Sequence, residues 1–105
     1  SGPMLVISGM TATNENRQIV GTDLETQCRY IFEKMVKVLE EAGASFADVI
    51  ETVDFVTTFD GYGKTADVRR EVFGAGPYPA ATGVKVAGLI RPGALIEIKA
   101  IAWVA

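Results

Sequence analysis

"PYPAATGVKVAGLIRPGALIEIKA", residues 77–100, decides how this chain is read. Two apolar strands flank the turn Arg91-Pro92-Gly93, and the second strand holds Glu97 between Ile96 and Ile98. From Leu95 onward the residues alternate. Ile96, Ile98, Ala100, Ala102 and Val104 share one face; Leu95, Glu97, Lys99, Ile101 and Trp103 share the other. A sheet face in water is normally polar throughout. Here both faces carry large apolar residues, so helices can cover only one, and a second copy of the chain is the simplest cover for the other. A homo-oligomer is expected. Glu97 then has three readings: an edge residue in water, half of an ion pair with Lys99, Lys85 or Arg91, or an acid/base group in a cleft.

Upstream, "MLVIS" (4–8) is a short apolar strand ending at Ser8-Gly9, and "TATNENRQIVG" supplies a polar turn and a weak second strand at 17–20. Thr22 and Glu25 have the spacing of a capping box. Leu24, Cys28, Ile31, Phe32, Met35, Leu39 and Ala42 then recur at helical steps until Gly43 closes the helix. "ADVIETVDFVTTF" (47–59) is β-branched and aromatic, a strand. A shorter helix follows, with Thr65, Val68 and Val72 on one stripe, Tyr62 and Phe73 at its edges, and an end near Gly74. Strands at 81–89 and 95–104 finish a single domain over residues 1–105. The order β-β-α-β-α-β-β predicts an α+β fold with two helices on one face of the sheet.

Composition narrows the chemistry. Of 105 residues, 49% are hydrophobic and 22% charged, which suits a packed globular domain. The net charge of −3 gives no electrostatic reason to bind nucleic acid. The absence of histidine removes His-based triads, His-ligated zinc and His proton shuttles. One cysteine excludes an internal disulfide and fits a reducing, cytoplasmic setting. No apolar run approaches the roughly 18 residues of a membrane helix, and no secretory signal pattern is visible.

Three blocks together resemble the Rid/YjgF family of reactive intermediate (imine and enamine) deaminases: "ISGM", "AGASFADVIETVDFVTTFD" and "YPAATGVKV…LIEIKAIA". The resemblance covers almost the whole chain and implies a chorismate-mutase-like fold. It also implies a homotrimer with clefts between subunits, and hydrolysis of a small molecule with no metal or cofactor. The family's glutamate falls on Glu97, expected to orient water or relay a proton, and its Ser-Gly falls on Ser8 and Gly9, whose backbone helps line the cleft.

The match departs from the deaminase branch at two positions. An arginine that pairs with the substrate carboxylate is replaced by Ala81, and a methyl group is no substitute for a guanidinium fork. The cysteine often found two residues on is Gly83. An N-terminal stretch typical of the family, which contributes a tyrosine to the cleft, is missing, so the domain is expected to be short at that end.

Thr82 and Arg91 complete the candidate ligand-binding set with Ser8, Gly9, Ala81 and Gly83: Thr82 as a hydrogen-bonding group, Arg91 as a displaced anion anchor. Strand and turn roles explain both equally well. Arg69 and Arg70 either line the cleft or face water. Cys28 lies on an apolar stripe and reads as core, Trp103 as interface, Tyr62 and Tyr78 as packing, and Ser8 lacks the context of a serine nucleophile. Three functions compete: a divergent imine/enamine hydrolase acting through Glu97, a non-catalytic trimer that binds a metabolite or protein, and a ribonuclease. An acidic chain without histidine supports the last least.

Overall fold

The computed structural model describes residues 3–104. Its elements are β1 (Met4–Thr11), α1 (Leu24–Glu41), β2 (Val49–Val56), α2 (Thr65–Phe73), β3 (Ala80–Lys85) and β4 (Ile96–Trp103). The strands form one sheet in the order β1-β4-β2-β3. β4 runs antiparallel to both neighbours, whereas β3 lies parallel to β2 after the crossover through α2. The fold is α+β, as expected.

The strand expected at 17–20 does not form. Only an isolated bridge, Thr13 to Ile19, joins this segment to the chain before it. Asn14 explains the difference. Its side-chain oxygen accepts hydrogen bonds from the backbone N–H groups of Asn16 and Gln18, at 2.9 and 3.0 Å. These are donors that a strand ladder would need. Arg17 adopts the left-handed conformation at φ 63°, which completes the turn.

The start of α1 also differs from expectation by one residue. Asp23, not Thr22, is the cap, and its carboxylate accepts the Thr26 N–H at 2.7 Å. A carboxylate at a helix N-terminus gains from the helix dipole as well as the hydrogen bond, an advantage that a threonine hydroxyl lacks. Thr26 holds the Asp23 carboxyl below its usual range, chiefly through that backbone hydrogen bond. Glu25 turns instead to Arg29, one turn on. At the other end Gly43 has φ 75°, and the Ala44 N–H reaches back to the Leu39 carbonyl at 2.8 Å. Ala42, counted on the apolar stripe, is the exposed C-cap.

The rest of that stripe is the core. Leu24, Cys28, Ile31, Phe32, Met35 and Leu39 are buried against Ile96, Ile98, Ala100 and Ala102 of β4, joined by Ile7, Val56 and Val68. Each large side chain contributes about 1.5–3 kcal/mol by leaving water. Phe32, Phe46 and Phe73 meet edge to face at 5.5–5.9 Å and tie α1 to α2. Gln27, buried among apolar neighbours, donates to the carbonyls of Gly21 and Gly93 and accepts from the Leu95 N–H. It thereby pins the approach to β4 onto α1.

The opposite sheet face has no helix. Met4 pairs with Trp103 and Val6 with Ile101 across it. Val6 is 63% exposed, and Met4, Trp103 and Val84 are also open to solvent.

Candidate functional site

Glu97 projects from this uncovered face. Its strand neighbours are Phe55 of β2 and Thr11 of β1. The β1–β4 register slips between Ile7 and Met10, so Ser8 and Gly9 form a bulge beside Lys99 and Glu97. A side chain at position 9 would displace the Glu97 carboxylate. A Cβ on Gly9 would stand 2.9 Å from the Glu97 Cδ and overlap Oε2. The carboxylate therefore rests on bare backbone, with Ser8 exposed alongside.

Phe55, Val86, Leu89 and Ile90 line a shallow cavity of about 230 Å³ with Glu97. Among the described residues no lysine or arginine comes within 4 Å of the carboxylate. Within the chain the ion pair considered for Lys99, Lys85 or Arg91 is thus not formed among the described residues. Arg91 is exposed in its turn, where its carbonyl accepts the Ala94 N–H at 3.1 Å. It is near enough to Lys34 to help lower that amine's pKa, burial being the larger cause. Lys34 in turn donates to the carbonyls of Thr11 and Thr13 at 2.9 and 2.8 Å, holding the end of β1.

Residues 81–83 lie on β3, an exposed edge strand. Ala81 is in register with buried Thr52 and Gly83 with buried Asp54, so both point to the helix side. Thr82 is in register with Val53 and shares the open face with Glu97. Within the chain, Glu97 and Ala81 are on opposite faces of the sheet.

On the helix side stands a polar cluster that sequence reasoning missed. The Tyr62 hydroxyl donates to Asp54 Oδ2 at 2.7 Å. Arg69 donates from Nη2 to the same oxygen and from Nη1 to the Thr52 hydroxyl at 3.1 Å. The Arg69 guanidinium also lies over the Phe32 ring, 5.5 Å from its centroid. Asp54 is 1% exposed, and its other oxygen, Oδ1, is buried with no partner among the described residues. Burial, then the Asp54 hydrogen bond, push the Tyr62 phenol up to about 12. Gly83 makes room for this arrangement: a Cβ there would stand 3.0 Å from Tyr62 Cζ and overlap its hydroxyl. The signal in the sequence was parity. Asp54 falls in phase with Thr52 and Val56, and Arg69 follows Thr65 by one helical turn.

Beside this cluster Ala81 borders a cavity of about 360 Å³ with Ala66, Arg69, Arg70, Phe73, Tyr78 and Pro79. Of the two arginines left open between cleft and solvent, Arg69 is largely buried at 14% exposure, whereas Arg70 borders the cavity with its side chain 64% exposed to solvent. Cys28 is buried as expected, and burial pushes its thiol up to about 12. Among the described residues no three carboxylate or thiol side chains converge as metal ligands, and no helix is long and apolar enough to cross a membrane.

Comparison with known proteins agrees with this geometry. A sequence model of the family described as Endoribonuclease L-PSP matches residues 1–104. A Rid-family protein of unknown function from Yersinia pestis superposes with TM-score 0.90 at 30% identity, over 97% of this chain and 81% of its own. A YjgF/YER057c/UK114-family member from Mycobacterium tuberculosis gives 0.85 at 34%, over 99% and 81%. RidA from the Antarctic bacterium Psychrobacter sp. PAMC 21119 gives 0.90 at 27%, over 99% and 83%. With the bulged Ser-Gly strand, the two-helix layer and Glu97 on the open sheet face, these matches establish that the chain belongs to the Rid/YjgF family.

Proposed function

We propose that this protein is a hydrolase of imines or enamines, acting through Glu97 in a cleft that further copies of the chain complete as a homotrimer. The observation that carries the reading is the Glu97 carboxylate itself: seated on Gly9, walled by Phe55, Leu89 and Ile90, and without a cation partner among the described residues. A carboxylate so placed is free to take a proton from water. The water oxygen adds to the imine carbon as the C=N π pair moves to nitrogen, and the proton held by Glu97 passes to that nitrogen, giving a neutral carbinolamine. Glu97 then takes the carbinolamine hydroxyl proton and delivers it to the amine as the C–N bond breaks, which releases ammonia, leaves a carbonyl product and restores the carboxylate. Backbone N–H groups of the cleft hold developing charge. An enamine enters the same route after protonation at carbon. No metal or cofactor is needed. The bare apolar face bearing Met4, Val6 and Trp103 supports assembly, because a patch of this kind is normally covered.

Ala81 favours a second reading, a trimer that binds its ligand without turnover, since this position carries an arginine in the deaminase branch. The ribonuclease activity in the family description gains no support from a chain of net charge −3 without histidine.

The test is ammonia and 2-oxo acid release from enzymatically generated 2-iminopropanoate and 2-iminobutanoate, with Glu97→Gln and Ala81→Arg alongside. Turnover that Glu97→Gln abolishes supports the hydrolase. Turnover gained only in Ala81→Arg points to an intact cleft tuned to another imine. Turnover indifferent to Glu97→Gln overturns the role given to Glu97, and no turnover in any variant overturns the reading in favour of a binding protein.

A further inference from the structure

Glu97 has a polar neighbour that the proposed reaction leaves unused. Thr11 of β1 stands directly opposite it in the antiparallel register, so both side chains project from the open sheet face. The carboxylate leans toward this strand, since it rests on Gly9, two residues before Thr11. We infer that Thr11 and Glu97 share the attacking water, Glu97 taking one of its protons and the Thr11 oxygen accepting a hydrogen bond from the other O–H. The inference rests on the hydrolase reading for turnover; the water site itself does not.

The Thr11 hydroxyl is held in place before any ligand arrives. Its oxygen lies 2.6 Å from the Thr13 hydroxyl oxygen, the separation of a strong O–H···O bond. The backbone beneath the pair is fixed as well. Lys34 donates to the carbonyls of Thr11 and Thr13 at 2.9 and 2.8 Å, so one ammonium sets the spacing of the two residues. Groups ordered in advance lose little entropy when a reactant docks.

When Thr11 donates to Thr13, its lone pairs are left for a donor on the Glu97 side. Directly opposed residues on paired strands have Cβ atoms about 4.5–5.5 Å apart, and one water spans a gap of that order between two oxygens. An ionised carboxylate also only accepts, so both O–H groups of the water have an acceptor and its lone pairs are left for the imine carbon. The walls formed by Phe55, Leu89 and Ile90 lie toward β2, the other neighbour of β4. Water on the β1 side and substrate on the β2 side then meet at Glu97. Either hydroxyl can be the donor in the threonine pair. Once water oxygen has become the carbonyl oxygen of the product, Thr13 can donate to Thr11 and Thr11 to that carbonyl. No proton leaves the pair: the two hydroxyls only rotate.

The experiment compares Thr11→Val, Thr11→Ser and Thr13→Val with wild type in hydrolysis of enzymatically generated 2-iminopropanoate. Crystal structures of wild type and Thr11→Val, at a resolution that shows ordered water, accompany the kinetics. Expected are a kcat about tenfold lower in Thr11→Val with KM little changed, most of the activity kept in Thr11→Ser, and an intermediate loss in Thr13→Val. A purely structural role predicts the reverse order, since valine keeps the β-branched shape that strands favour and serine gives it up. The wild-type crystal should show a water within hydrogen-bond distance of both Thr11 Oγ1 and the Glu97 carboxylate, and Thr11→Val should lack it. Full activity in Thr11→Val, a loss in Thr11→Ser as large as in Thr11→Val, or no water shared by the two residues would overturn the inference. Hydrolysis abolished by Glu97→Gln and untouched by Thr11→Val overturns it and leaves the hydrolase intact. A shared water that Thr11→Val removes, in a protein that turns over no imine, supports the water site and overturns the hydrolase reading instead.

Discussion

The carboxylate of Glu97 occupies the space that a side chain at position 9 would need, so the β1 bulge and the acid on β4 form one structural unit. Replacing Gly9 by alanine should drive Glu97 off its seat without touching its chemistry. Expected is a fall in hydrolysis comparable to that of Glu97→Gln, with the circular dichroism spectrum retained. Full activity in Gly9→Ala would show that the seat is irrelevant.

Gly83 and Tyr62 stand in a similar relation on the other face, with Asp54 as the stake. Gly83→Ala should cost about 1–3 kcal/mol by displacing the hydroxyl from a buried carboxylate. Tyr62→Phe should cost a similar amount. The double variant should cost much less than the sum, because the second change removes what the first displaced. Urea denaturation of the four proteins at one concentration checks this, and strict additivity would refute the coupling.

The Arg69–Asp54 pair should behave as a buried ion pair. Removing one partner in Arg69→Ala strands a carboxylate that is 1% exposed and should cost about 3–5 kcal/mol. Replacing both, in Asp54→Leu with Arg69→Met, should recover most of that stability. The same denaturation series gives the comparison.

Cys28 should be inert in the native protein. With its thiol pushed up to about 12, the thiolate fraction at pH 8 is on the order of 1 in 10,000. An aromatic disulfide reagent should therefore react with the thiol in denaturant and not in buffer, and rapid labelling of the folded protein would contradict its burial.

Asp23 supplies a pH dependence. Its folded pKa lies below the ordinary value of 3.8, so its contribution is complete above that value and is lost as pH falls through the folded pKa. Asp23→Ala should lower Tm by a few degrees at pH 7, and the gap to wild type should close in acid. A gap that stays constant to pH 2 would show that the charge plays no part in the cap.

Much of this architecture was legible in short-range pattern. The i, i+3, i+4 recurrence from Leu24 to Leu39 and the alternation from Ile96 to Ala102 name their buried faces correctly, because helix and strand periods are set by backbone geometry. The failures were local competitions that periodicity does not register. Asn14 captured backbone donors at 17–20, and Asp23 outcompeted Thr22 by one position. Of the proposed site, the resemblance pointed to Glu97 and to Ser8-Gly9, expected at the end of the first strand; the structure carries that strand on to Thr11 through a bulge that sets Gly9 against Glu97.

What the chain determines by itself is thus its elements, its core-facing residues and the acid on β4, all consequences of patterns a few residues long. What only the tertiary structure decides is which distant groups meet. Parallel pairing of β2 with β3 brings Asp54 beside Gly83, α2 lowers Arg69 and the turn before it lowers Tyr62 onto that carboxylate, and the β1 bulge sets Gly9 under Glu97. Register between strands far apart in sequence makes these encounters, and a slip of one residue would turn each side chain to the opposite face.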